Sequence, residues 1–273
     1  MKTRIISALV GLVLLGAVLF LFETAVLDVA VAALSVMGVY EMINAIGLSK
    51  NKIFTGVCAV FAALFSSSLF QTVGSLSGFV EFCFGIVVLL FVMNHHKELK
   101  ATDAAFAFFF TVFIPKAFSM ILLFRSFGSP VSYFLVLMSL AVAWLNDTCA
   151  YFSGYFFGKR KLCPELSPKK TVEGAIGGVF GDLIVCCILA FVFAKATGYA
   201  INWISFAIFV PVGAVIAIFG DLAASAIKRQ YGVKDYGKIM PGHGGIMDRF
   251  DSWVFVAPIL YLWNIWLPFV SAL

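Results

Sequence analysis

The sequence predicts an all-α fold, a polytopic membrane bundle of about nine transmembrane helices, and two observations carry that prediction. The first is composition: 62% of the 273 residues are hydrophobic and mean hydropathy is +1.04, where a soluble domain runs about 45–50% apolar. The second is arrangement. Apolar runs lie at roughly 5–22, 26–46, 53–70, 78–94, 104–124, 130–157, 173–194, 201–227 and 252–270, most of them near the roughly 17–25 residues that a helix needs to cross a bilayer. Lipid cannot satisfy the polar edge of an open sheet, so these spans are helical. No soluble domain fits between them, and residues 1–273 form one membrane domain.

Taken in order, the first span follows Met1-Lys2-Thr3-Arg4, which also resembles the start of a signal peptide. Phe22-Glu23-Thr24 follows instead of a small-x-small cleavage site, so the span is read as a retained helix. Glu41 and Glu81, near the ends of spans two and four, are read as interfacial. Lys116 follows Pro115 inside span five and needs a carboxylate partner there; Asp147, Asp182 and Asp221 are the candidates. The 130–157 and 201–227 runs are longer than a bilayer needs and emerge at their polar ends. Six cysteines with no Cys-x-x-Cys pair, and only 3 histidines, argue against zinc.

Charge orients the bundle. Lys2, Arg4, Lys50, Lys52, Lys97, Lys100, Lys159, Arg160, Lys161, Lys169, Lys170, Lys228, Arg229, Lys234, Lys238 and Arg249 fall at the N-terminus or after spans two, four, six and eight. Only Arg125 and Lys195 reach the other face. Positive charge marks the cytoplasmic side, so the N-terminus is inside, the C-terminus outside, and the charged loops face the cytoplasm. No nucleic-acid partner is expected.

Three stretches carry chemistry. Asp221 to Asp251 holds four Asp, five Lys or Arg and one His in a chain that is 12% charged. Such a density beside apolar spans suits a cation held by carboxylates, phosphates held by basic residues, and glycines that let the backbone approach. Within it, Asp221, Ser225 and Lys228 share a helix face at i, i+4 and i+7, and Asp248 and Asp251 stand where span nine begins. An Asp from each of two helices, with open positions for water and phosphate, suits Mg²⁺. Second, Asp147, Tyr151, Gly154 and Gly158 recur on one face of span six, and Gly154-x-x-x-Gly158 admits a close neighbour. Third, in Ser167-Pro168-Lys169-Lys170-Thr171-Val172-Glu173-Gly174, Pro168 predicts a turn and Thr171 an N-cap. Two lysines before a helix N-terminus make a cradle for a triphosphate.

Ser225-x-Ile227-Lys228-Arg229, Lys234-Asp235-x-Gly237 and Pro241-x-His243-Gly244-Gly245-x-x-Asp248-Arg249-x-Asp251 together resemble the signature of the phosphatidate cytidylyltransferases, also called CDP-diacylglycerol synthases. Met240 departs from the Leu, Ile or Phe expected, a swap that keeps volume and apolarity. The Ser-Pro-Lys-Lys-Thr-x-Glu-Gly string and Asp147 with Ala150-Tyr151 share the resemblance. It covers 140–253 well and the first hundred residues hardly at all.

The resemblance implies transfer of CMP from CTP to phosphatidate, giving CDP-diacylglycerol and pyrophosphate at the cytoplasmic side of the cell (inner) membrane. Residues 1–128 would then be lipid-facing or dimer-contact helices, and 129–273 the catalytic helices and loops. The family's metal ligands match Asp221 and Asp248, for Mg²⁺, with a second, monovalent cation such as K⁺ allowed. Lys228, Arg229 and His243 join them as catalytic groups. Asp147, Tyr151, Ser167, Lys169, Lys170, Thr171, Glu173, Ser225, Lys234, Asp235, Gly244, Gly245, Arg249 and Asp251 are the substrate-binding set, with a lysine-orienting or metal-water role for Glu173. A homodimer is also suggested. The rivals are a CTP-dependent enzyme for another lipid phosphate, of polyprenyl type, and a transporter, since charged and glycine-interrupted helices also suit carriers.

Overall fold

Phenylalanine, at 31 copies, decides how the first helices pack. The computed structural model describes residues 16–17, 19–68, 74–240, 242 and 244–271. It divides into two compact units, one of residues 1–123 with 231–250 and one of 124–230 with 251–273.

The first unit contains α1 (Ala25–Ala45), α2 (Lys52–Phe65), α3 (Gly74–Asn94) and α4 (Ala101–Phe124). Gly47, at φ +83°, ends α1 in the left-handed conformation that glycine adopts without strain. The Asn51 side chain then caps α2 by accepting the Phe54 N–H at 3.0 Å. Phe61 and Phe65 of α2 meet Phe84 of α3, which stacks on Phe108 of α4 at 5.4 Å between centroids. Such rings contribute beyond the area they bury. Inside this unit the Lys116 ammonium pairs with Glu81, and Ser77 donates to the same carboxylate at 2.9 Å. The partner is therefore none of the three aspartates expected. Glu81 is a bonded group within the bundle, because a cation in a span settles on the nearest carboxylate.

The second unit contains α5 (Val131–Phe157), β1 (Lys161–Cys163), β2 (Ser167–Thr171), α6 (Val172–Thr197), β3 (Ala200–Ile201), α7 (Trp203–Gln230), α9 (Trp253–Trp266) and β4 (Val270–Ser271). A four-residue helix, α8 (Met247–Phe250), belongs to the first unit. Glycines set the α5–α6 spacing. A Cβ on Gly174 would lie 2.8 Å from the Ala150 carbonyl, one on Gly178 2.7 Å from Asn146 Oδ1, and one on Gly181 2.8 Å from Cys149 Cβ. Gly154 answers from α5, 3.5 Å from Gly174 Cα by the same construction. Trp253, fully buried, donates its indole N–H to Ser139 at 2.9 Å and fixes α9 to α5.

β1 and β2 form an antiparallel hairpin, Lys161 opposite Thr171. Its turn covers 164–166, and Pro168 lies within β2 rather than in a turn. A two-stranded ribbon leaves an edge where the missing N–H goes unneeded. β3 and β4 pair likewise, Ala200 opposite Ser271.

Among the described residues six helices are long and apolar enough to cross a membrane. The count of nine is not confirmed among these residues: α2 and α9, at 14 residues each, are short for a span, reaching about 21 Å against a hydrocarbon core of about 30 Å. The first expected span, 5–22, lies largely outside the described residues. Ile176, Phe180, Ile184 and Ile188 point outward from α6 at every fourth position, an apolar stripe that lipid covers and water would not. The chain is a multi-pass, all-α membrane protein.

Candidate active site

In the second unit the site grows from the last turns of α7. Asp221, Ser225 and Lys228 share one face there, half-buried. The Asp221 carboxylate forms an ion pair with Lys170 of β2, and Arg229 donates to the Leu166 carbonyl at 3.4 Å. The hairpin is thus tied to the helix end by two basic residues. Successive strand residues face opposite ways, so Lys169, exposed, and Lys170, on Asp221, do not act as one pair. Thr171 caps α6 as expected, its hydroxyl accepting the Gly174 N–H at 3.1 Å. Glu173 accepts the Lys159 and Arg160 backbone N–H groups at 2.9 and 3.1 Å. Its carboxylate therefore ties the chain leaving α5 to the start of α6, and it meets backbone rather than a lysine side chain.

Asp251 is 7% exposed, and its carboxylate accepts the Ser252 N–H at 2.8 Å. Burial pushes its pKa up, Asp221 pushes it further, Lys228 opposes, and Asp147 adds to the rise. Asp147 and Tyr151 are exposed on α5, and Ser167 begins β2 half-buried. Asp147, Asp221 and Asp251 therefore share one electrostatic field with Lys228, and Lys170 stands on Asp221.

In the first unit the signature loop folds on itself. The Asp248 carboxylate accepts the Tyr236 N–H at 2.8 Å and the Gly245 N–H at 3.0 Å. Met240 donates its N–H to the Gly244 carbonyl at 2.9 Å. Gly244 has φ +87°, and a Cβ there would meet the Asp248 carboxylate at 2.9 Å, so no other residue fits without strain. Arg249 is exposed. His243 lies outside the described residues. Lys234, Asp235 and Lys238 line a cavity of about 550 Å³ with Tyr40, Glu41 and Asn44 of α1.

Glu41 corrects the expectation of an interfacial acid. It is 2% exposed, and its carboxylate accepts the Ile246 and Met247 N–H groups at 3.0 and 2.9 Å. An acid inside an apolar run was the available signal; its partners lie some two hundred residues on, beyond any local pattern.

Residues 2–266 match the family model described as the cytidylyltransferase family. The phosphatidate cytidylyltransferase of Thermotoga maritima is 34% identical over 96% of this chain and 95% of its own length. That of Staphylococcus aureus (strain COL) is 33% identical over 95% and 97%, and that of Bacillus subtilis (strain 168) is 46% identical over 46% and 45%. The chain belongs to the cytidylyltransferase family. The likeness runs through the first hundred residues, which the signature hardly reaches.

The second unit brings carboxylate oxygens and basic side chains together. Burial raises the Asp251 pKa most, the Asp221 and Asp147 charges add to the rise and Lys228 opposes it, and a bound cation would ease the charge among these carboxylates. The donors are all oxygens, as Mg²⁺ prefers. Among the described residues no three His, Cys, Asp or Glu side chains form an ion-holding group. A cation would accordingly rely on one or two carboxylates, water and substrate phosphate. Asp221 belongs to the second unit and Asp248 to the first.

Proposed function

We propose that this chain is a phosphatidate cytidylyltransferase, which transfers CMP from CTP to phosphatidate and releases pyrophosphate. The observation that carries the reading is the likeness, over nearly the whole of both chains, to the Thermotoga maritima phosphatidate cytidylyltransferase. A phosphate oxygen of the lipid, already ionised, attacks the α-phosphorus of CTP. The new P–O–P bond forms as the α–β bond breaks, and the electron pair leaves on pyrophosphate. Such a reaction needs little proton transfer, so positioning and charge stabilisation do most of the work.

Lys169, exposed on β2, meets the triphosphate from water. Lys170 and Lys228 hold phosphate oxygens close to Asp221, and Arg229 fixes the hairpin that carries the lysines. Mg²⁺ is part of the proposal, for which the family resemblance implies Asp221 and Asp248 as protein ligands and allows a monovalent cation such as K⁺. Bound there, it would neutralise charge on the phosphates. His243 orients a phosphate. The basic loops lie on the cytoplasmic side of the cell membrane, with the N-terminus inside and the C-terminus outside. A homodimer completes the proposal, to be read by crosslinking in liposomes.

The test is purified protein in detergent with CTP, Mg²⁺ and a lipid panel that includes phosphatidate and a polyprenyl phosphate. CDP-diacylglycerol and pyrophosphate in equal amounts, abolished by excess EDTA, are expected. Preferential turnover of the polyprenyl phosphate, or solute movement across liposomes with no nucleotide consumed, would replace the proposal. Full turnover in EDTA would remove the metal from it.

A further inference from the structure

We infer that Glu41 is a positioning residue of the transfer reaction: from α1 it holds the main chain of residues 245–247 and so sets where Asp248 stands. The inference rests on the activity proposed above. Glu41 is buried one turn before the end of α1, and both its oxygens are engaged: Oε1 accepts the Ile246 N–H and Oε2 the Met247 N–H. Hydrogen bonds to an ionised acceptor are roughly twice as strong as neutral ones. A buried carboxylate without them would be costly.

The loop also closes on this side chain sterically. A Cβ on Gly237 would lie 2.6 Å from the Glu41 carboxyl carbon, and one on Gly245 2.5 Å from it. Both stretches of backbone thus reach the carboxylate only because they are glycine. Gly38, one turn earlier on α1, leaves room for Met247, whose Sδ would stand 3.1 Å from a Cβ there. Asp248, directly after Met247, turns back to the Tyr236 and Gly245 N–H groups. Two carboxylates, one from α1 and one from the loop, therefore fix the N–H groups of Tyr236, Gly245, Ile246 and Met247. With both oxygens on backbone, Glu41 acts through the loop and not on the substrate.

The test uses the full chain in detergent with the variants Glu41→Gln and Gly245→Ala. Gln keeps the length but sets an NH₂ against a backbone N–H. We expect kcat to fall about 10–100-fold, since misplacing reacting groups by about 1 Å costs up to about 100-fold, with the KM for CTP changed less than about threefold. Hydrogen exchange should quicken at Ile246 and Met247 and stay unchanged in α3 and α5. Gly245→Ala should lower kcat in the wild-type background and add little in Glu41→Gln, as coupled sites do. An unchanged kcat, or lost thermal stability with the kcat of the folded fraction intact, would overturn the inference. If Glu41→Gln does not fold, Gly245→Ala decides alone, by kcat and by exchange at the same two amides. A wild type that forms no CDP-lipid overturns the activity and this inference together; an active wild type beside an equally active Glu41→Gln overturns the inference only.

Discussion

Asp248 combines a charge with a scaffold, and two substitutions separate them. One of its oxygens accepts the Tyr236 and Gly245 N–H groups. Asn keeps an oxygen for those donors and loses the charge; Ala loses both. Asp248→Asn should lower turnover about 10²–10³-fold, the range for a single electrostatic group in a transition state, with exchange at Tyr236 and Gly245 close to wild type. Asp248→Ala should lose activity at least as far and also lose that protection. Near-full activity of Asp248→Asn under limiting Mg²⁺ would assign the residue to the scaffold alone. Residue types and spacing made Asp248 visible in the sequence. Its bonds to backbone were not visible, because they depend on how a glycine-rich loop turns. Glu41 was less legible still: only the folded chain brings it to Ile246 and Met247.

At the scale of elements the α5–α6 seam is the most specific feature. Gly178→Ala would place a methyl group 2.7 Å from Asn146 Oδ1 and 2.9 Å from Ala150 Cβ. Overpacking of this kind costs about 1–3 kcal/mol, to be read as a lower unfolding temperature in detergent. Gly56→Ala in α2 is the control. Nothing lies within 4 Å of its added Cβ, and alanine favours a helix over glycine by about 1 kcal/mol, so stability should hold or rise. Equal loss in both variants would mean that the close α5–α6 contact does not set the response. The small-residue spacing around Gly154 announced a close helix neighbour, and the Thr171 cap was legible from its place before an apolar run. The β1–β2 hairpin was not, since two short strands with a proline carry no alternating pattern. The two 14-residue helices also escaped, because apolar length in sequence does not tell where a helix stops.

For the whole molecule, hydropathy made the membrane class plain, and the placement of basic residues supplied the proposed orientation. In a background with the 6 cysteines replaced, cysteines at Ser167 and Lys238 should react only from the cytoplasmic side, and one at Ala196 only from the other. Labelling of Ser167 from outside would reverse the orientation. The division into units, with residues 231–250 joined to the N-terminal helices, could not be read from the signature, which runs unbroken through that boundary. Transfer of a cytidylyl group to a lipid phosphate is followed with CTP labelled at a single phosphorus. Purified protein, phosphatidate and Mg²⁺ are incubated with α-labelled or γ-labelled CTP, and the lipid is extracted. α-Label is expected to enter the lipid while γ-label leaves as pyrophosphate. γ-Label in the lipid, with α-label remaining in CDP, would show phosphoryl transfer instead and contradict it.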